Sequence, residues 1–217
     1  MNKREEDYIK IIYILTIEEK QDLAKSQTVA DSLNVTIQTA NEMFKKLAKQ
    51  GLIVYTPYKG VYLTEKGSLE AIRVIRAHRV LELFLTETLK FNWSEVHEDA
   101  EKLEHAASEK VINALYDFLG KPKADPHGHP IPTKGEVYKI STLNLYALKV
   151  NDFFKIIRVN ESDELFKYLN ENTIKIDDKF FITNKNVKEK TITIKSDKEY
   201  VIRKNVALNI FVELIKK

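Results

Sequence analysis

The stretch that most constrains this chain is "TVADSLNVTIQTANEMFKKLAKQGLIVYTPYKGVYLT", residues 28–64. Val29, Ala30 and Leu33 share one face of a short helix. "NVT" makes a turn, with Thr36 as N-cap of the next helix. That helix, Thr36 to Gln50, buries Ile37, Ala40, Phe44 and Leu47 and stops at Gly51. The spacing is that of a helix-turn-helix. Two β-rich runs follow around Pro57 to Gly60 and predict a hairpin. A helix-turn-helix followed at once by a hairpin is a winged-helix module. Between Met43 and Lys66 lie Lys45, Lys46, Lys49, Lys59 and Lys66 against the single acid Glu65, a local basic patch. Such a module is expected to read duplex DNA, with Thr36, Gln38, Thr39, Asn41 and Glu42 facing base edges or phosphates and Lys45 and Lys59 as candidate phosphate contacts.

The remainder separates by pattern. At 217 residues the chain has room for one large or several small domains, and 43% hydrophobic with 31% charged residues is a globular composition. Before the module, Tyr8, Ile9, Ile11, Ile12 and Leu15 predict an opening helix. Residues 71–120 are helical, and Ile72, Ile75, Val80, Leu83, Phe84, Phe91 and Trp93 offer more apolar surface than two helices bury on each other. An isologous homodimer is the economical outcome. From about residue 140 the period changes to short strands, "DFFKIIRV", "IKIDDKFFIT", "KTITIKS" and "EYVIRK", with "DELFKYLNEN" as an inserted helix. The expected fold class is α+β: a winged helix-turn-helix over 1–72, a helical dimerisation domain over 73–138 and a small SH3-like β-barrel over 139–217. No apolar run approaches the length of a bilayer span and no signal peptide opens the chain, so a cytoplasmic protein without membrane contact is expected.

Histidine and carboxylate placement carries the chemistry. All five histidines fall between His78 and His129, and cysteine is absent, which excludes disulfides and thiolate metal sites. On a helical wheel with His97 at zero, Glu104, Glu101 and His105 lie at about −20°, 40° and 80°. Val96, Ala100, Leu103, Ala106 and Ala107 point the other way. The helix "VHEDAEKLEH" can therefore bury an apolar side and aim four ligand-type side chains at one spot; a solvated acidic face is the plainer alternative. His78 and Glu82 are a second convergent pair, four residues apart. A sulfur-free set of carboxylates and imidazoles suits Mn(II) or Fe(II), and Zn(II) binds such sites too.

Together these segments resemble the diphtheria-toxin-repressor family of metal-dependent transcription repressors, specifically its manganese-sensing branch. "EDYIKIIY" is similar to the family's opening helix, "AHRVLELFL" to its His-Arg-x-x-Glu helix start and "VHEDAEKLEH" to its main ligand helix. "DPHGHPIP" resembles the segment closing the dimerisation region, and "DELFKYLNENTIKIDDKF" the core of its SH3-like (FeoA-like) tail domain. The resemblance implies one metal site from Asp7, Glu101, Glu104 and His105. It implies another from His78, Glu82 and His97, joined by Glu161 and Glu164 of the tail. Asp125 and His127 match positions that some tail-bearing relatives use as ligands, with a cysteine where Asp125 stands. Iron-sensing members carry cysteine at the position of Glu101. Some manganese-sensing relatives have a second carboxylate where this chain has Lys10. The implied function is a Mn(II)-activated homodimeric repressor of metal-ion uptake genes, bound to operator DNA with two-fold related half-sites. It has no small-molecule substrate. Fe(II) is the alternative activator, with Zn(II), Co(II) or Cd(II) able to substitute in vitro.

Two other classes compete. A metalloenzyme finds little support: "HEDAE" lacks the second histidine of His-Glu-x-x-His. Ile75, Ser94 and Lys102 stand where a Glu-x-x-His site would need its glutamate. A metal-buffering protein would use the same ligands and leave the winged helix idle.

Overall fold

The computed structural model describes residues 1–133, 140–160 and 162–215, and these fall into two compact units. Of the described residues, the first comprises 1–84, 98–121 and 131–133; the second comprises 85–97, 122–130, 140–160 and 162–215.

In the first unit, α1 (Lys3–Tyr13) opens on a capping box. Asn2 Oδ1 accepts from the Glu5 N–H at 3.1 Å, and Glu5 Oε2 accepts from the Asn2 N–H at 3.0 Å, which satisfies two otherwise orphaned donors. One π-helical turn, Ile14–Glu18, extends α1. Its Glu18 carboxylate accepts from Arg79 Nη2 at 2.8 and 2.9 Å, with both side chains nearly buried. Helices α2 (Ser26–Ser32) and α3 (Ile37–Lys49) form the helix-turn-helix, and β1 (Ile53–Thr56) pairs antiparallel with β2 (Gly60–Leu63) as the wing. Thr36 caps α3 as expected, accepting from the Thr39 N–H at 3.1 Å. Ile9, Ile12, Val29, Ala30, Ala40, Phe44, Leu47 and Val61 make the core, with Tyr8 edge-on to Phe44 at 6.0 Å.

Two expectations fail here. Ile37 is 44% exposed rather than buried. It is the first residue of α3, and burial along the helix begins one turn later at Ala40. Leu103, expected on the buried side of the ligand helix, is 43% exposed, while Glu104 beside it is 1% exposed. The ligand helix thus inverts the usual burial. Its Val96 and Ala100 are buried as expected.

Helix α4 (Glu65–Glu87) follows the wing, then α5 (Val96–Glu104) and α6 (Glu109–Phe118). α5 ends at Glu104, so His105 lies just past the last helical turn.

The second unit is built on a five-stranded antiparallel sheet of order β6-β5-β4-β3-β7. Its strands are β3 (Phe153–Val159), β4 (Lys179–Asn186), β5 (Thr191–Lys195), β6 (Glu199–Arg203) and β7 (Ile210–Leu214). The four strands legible from the sequence are present, and β7 closes the order beside β3. Along β5, Ile192 and Ile194 are buried and alternate with half-buried neighbours, the period of two that a one-sided core requires. They join Phe154, Ile156, Ile182, Ile202, Ile210 and Val212 around Leu165 and Leu169 of α7 (Asp163–Asn172). Short helix α8 (Lys204–Ala207) precedes β7. This is the SH3-like tail. Among the described residues no helix is long and apolar enough to cross a membrane.

Candidate metal centre and DNA-reading helix

Three consecutive acids of α1 divide their contacts: Glu5 faces α3, while Glu6 and Asp7 share His105. Glu5 Oε1 accepts from Lys46 Nζ at 3.0 Å and Gln50 Nε2 at 2.9 Å, both at the C-terminal end of α3. The Asn2 backbone N–H, Gln50 and Lys46 pull its carboxyl down to about 2. Glu6 bonds Arg73 of α4 and, through Oε2, His105 Nδ1 at 2.6 Å. Asp7 Oδ1 lies 2.9 Å from His105 Nε2.

Asp7, Glu104 and His105 offer one ligand atom each, all within 4.8 Å of one another. Glu104 Oε1 is 3.3 Å from His105 Nε2, so two carboxylates and one imidazole nitrogen converge. Burial pushes Asp7 above the ordinary aspartate range, against the pull of His105 and Lys3. Two carboxylates held this close repel unless a cation stands between them. The donor set is oxygen and imidazole only, and it fits a hard or borderline divalent ion.

Glu101 does not join this group. Its side chain is 51% exposed, and Oε1 lies 3.8 Å from Lys10 Nζ. Lys10 is itself buried, with Nζ donating to both Glu104 oxygens at 3.0 and 2.9 Å and lying 3.2 Å from His78 Nδ1. His78 Nδ1 is also 2.5 Å from Glu104 Oε2, and its Nε2 is 3.0 Å from Glu82 Oε1. Burial pushes Glu104 up, but the His78 hydrogen bond and the Lys10 charge outweigh it and hold its carboxyl low. Burial likewise pushes His78 down, and the Glu82 charge overcomes it, leaving His78 raised. The two ligand sets that the sequence keeps apart are therefore joined in the first unit through Lys10, Glu104 and His78. Sequence spacing places Lys10 on α1; only packing puts its ammonium between these side chains.

His97, half-buried at the start of α5, falls in the second unit. In that unit, Asp125, His127 and His129 also offer ligand atoms within 4.8 Å of one another. Asp125 Oδ1 accepts from the backbone N–H groups of His127 at 2.8 Å and His129 at 2.9 Å. His127 Nε2 donates to the Trp93 carbonyl at 2.8 Å, so Nδ1 is the nitrogen that carries the lone pair of the neutral ring. The ring packs against both Trp93 and Phe166, with centroids 5.5 and 5.0 Å away. His129 is a candidate that the sequence reading passed over; its signal was the alternation Asp-x-His-x-His in "DPHGH". Glu164 is exposed and accepts from Asn205 Nδ2 at 2.9 and 2.8 Å, apart from any ligand group among the described residues. Glu161 lies outside the described residues.

On the DNA-reading helix, Thr36, Gln38, Thr39, Glu42 and Lys45 are exposed, as is Lys59 in the wing. Asn41 is half-buried, and its Oδ1 accepts from Ser26 Oγ at 2.8 Å and Tyr55 Oη at 3.2 Å. It ties α3 to α2 and the wing.

Comparison with known proteins agrees along the chain. Residues 1–61 match the model of the iron dependent repressor N-terminal DNA binding domain. Residues 64–133 match the iron dependent repressor metal binding and dimerisation domain, and 143–214 a FeoA domain. An uncharacterized HTH-type transcriptional regulator of Methanocaldococcus jannaschii is 37% identical over 121 residues, 56% of this chain and 96% of its own length. The iron-dependent repressor IdeR of Mycobacterium tuberculosis is 34% identical over 127 residues, 58% of this chain and 54% of that protein. A solved manganese-dependent transcriptional repressor in complex with manganese superposes with a TM-score of 0.90 at 30% identity, covering 97% of this chain and 100% of the other. With its DNA-binding, metal-binding and tail segments all matched, this chain belongs to the iron-dependent (diphtheria toxin) repressor family, and is a metal-dependent transcriptional repressor rather than an enzyme.

Proposed function

We propose that Mn(II) is the activating ion and that it binds at Asp7, Glu104 and His105. The supporting observation is that this group draws one ligand from α1, part of the DNA-binding module, and two from the end of α5. A ligand set shared between modules makes metal affinity depend on their arrangement, and metal shifts that arrangement only by its difference in affinity for the two states. Through Glu5, α1 also grips Lys46 and Gln50 of the DNA-reading helix, so the route from ion to DNA is short.

The bound ion supplies positive charge that holds the carboxylates together. Asp7, Glu104 and His105 orient it, and Lys10 balances the remaining charge of Glu104. His78 and Glu82 remain ligands of the second set expected from the sequence, and Glu101 a peripheral acid. In the cytoplasm, a homodimer then sets two α3 helices into successive major grooves, so operator half-sites are spaced by about one helical turn or a multiple. Thr36, Gln38, Thr39 and Glu42 read bases or phosphates, and Lys45 and Lys59 hold phosphates. The regulated genes are those of metal-ion uptake. Fe(II) is a second reading, favoured by the named activity of the IdeR relative.

Fluorescence anisotropy on operator DNA, with and without saturating Mn(II) or Fe(II), tests this. Asp7→Ala is expected to remain a folded dimer and to lose at least about tenfold, or 1.4 kcal/mol, of the metal-dependent gain in affinity. A gain of wild-type size in Asp7→Ala would remove Asp7 from the centre.

A further inference from the structure

Glu6 is a buried carboxylate that the metal centre does not use as a ligand. It is 6% exposed, and both its oxygens are committed: Oε1 to Arg73, Oε2 to His105 Nδ1 at 2.6 Å. Arg73 is anchored in turn by Glu70, whose Oε2 accepts from Nε at 3.3 Å. Isolated burial of an acid is costly, and a charge is retained in such a place only with partners of this kind.

The consequence falls on His105. An imidazole can offer a lone pair to a metal through one nitrogen only, and the partner of the other nitrogen decides which. A carboxylate accepts and cannot donate, so Nδ1 facing Glu6 carries hydrogen. Nε2 is then the nitrogen left for an ion, and the ligand oxygens gather on that side: Asp7 Oδ1 at 2.9 Å and Glu104 Oε1 at 3.3 Å. Glu6 and Asp7 are adjacent in sequence, about 100° apart around α1. They clasp the ring from its two nitrogens.

We infer that Glu6 is a positioning residue for the metal centre, fixing the tautomer and ring orientation of His105 so that Nε2 binds a divalent cation. Arg73 holds Glu6 in place. Helix α1 therefore supplies one ligand and also aims another that stands on α5's end. This inference rests on the proposed metal centre. A carboxylate hydrogen-bonded to a ligand histidine typically contributes about ten- to a hundredfold in metal affinity.

The test uses the full-length protein with Glu6→Ala and Glu6→Gln. Mn(II) is titrated and the unbound ion followed by electron paramagnetic resonance. In parallel, Zn(II)-loaded samples are examined by long-range 15N–1H correlation, with the His105 signals assigned by a His105→Gln sample. Glu6→Ala should weaken Mn(II) binding about ten- to a hundredfold. Glu6→Gln keeps an oxygen acceptor and should recover most of that loss, which a merely structural role of the charge in the fold would not produce. Zn(II) should sit on Nε2 of His105, with a slowly exchanging Nδ1–H in the wild type and Glu6→Gln. In Glu6→Ala that proton should exchange rapidly. Zn(II) on Nδ1, or unchanged Mn(II) affinity in a folded Glu6→Ala, overturns the role of Glu6 alone. A wild-type chain that takes up neither ion overturns the metal centre itself, and the positioning role with it.

Discussion

The two ligand-bearing clusters are made in opposite ways. In the helical unit, Asp7, Lys10, His78, Glu104 and His105 come from α1, α4 and the end of α5, and their charges are balanced by one another. In the loop of the second unit, Asp125, His127 and His129 come from five consecutive residues, and the backbone sets them. Two N–H groups fix Asp125 Oδ1, and the Asp125 N–H donates to the His129 carbonyl at 2.9 Å. The loop is then pinned to β3 by the Val159 N–H donating to His127 O at 2.9 Å. A cluster assembled from helices depends on electrostatic balance; a cluster written into one loop depends on turn geometry. The first should be broken by a lost charge, the second by a lost acceptor or an added methyl.

Glu104→Ala is the most severe break. It leaves Lys10 buried without its carboxylate, and removing one partner of a buried ion pair costs about 3–5 kcal/mol. Urea unfolding of the metal-free protein, followed by far-UV circular dichroism, should show that loss; a change under 1 kcal/mol would mean water reaches Lys10.

The loop responds more mildly. Asp125→Ala removes an ionised acceptor from two backbone donors, a loss of about 1.5–3 kcal/mol. Trp93 is the only tryptophan and packs on His127 and Phe166, so its fluorescence reports on this loop directly. Asp125→Asn, which keeps an oxygen acceptor, should lose less than Asp125→Ala; equal losses would assign the effect to charge and erase the contrast between the clusters.

Gly128→Ala tests the turn geometry without touching any ligand atom. Gly128 has φ +86°, and a Cβ there would meet the Ile157 carbonyl oxygen at 2.1 Å. Overpacking and a left-handed backbone together cost about 1–3 kcal/mol. Trp93 fluorescence should red-shift as the loop lifts, and an unshifted spectrum would show that the turn does not depend on this glycine.

The break at Glu5 differs in kind, because its signature is a pH window. Its folded pKa of about 2 lies below the ordinary 4.5. The stabilisation is therefore present above about pH 4.5 and is lost as pH falls through about 2. Glu5→Gln should be less stable than wild type at neutral pH, and the gap should close across that window. A gap independent of pH would attribute the effect to the capping box rather than to the charge.

Much of this was legible in the sequence because it is local. Thr36 caps its helix, Gly51 ends it, and the alternation in "KTITIKS" produces β5, since caps, turns and periodicity are set within a few residues. The ligand types and the membership of Asp7, Glu104 and His105 in one group were legible through the family resemblance. The wheel on α5 carries direction around the helix but not burial. It placed Glu101, Glu104 and His105 on one stripe, yet Glu101 is half in solvent and Glu104 is buried, because the wheel carries no information about where α1 lies. Asn41 shows the same limit, since a polar residue on a reading helix turns inward once Ser26 and Tyr55 stand within hydrogen-bonding reach. Sequence alone determined the modules, their order and the chemistry of the donors. Tertiary structure decided that Lys10 joins Glu104 to His78, that Glu6 and Asp7 share His105, and that their neighbour Glu5 faces α3 instead. Each of these is a contact between residues 41 or more positions apart, where charge balance and burial, not local propensity, select the partner.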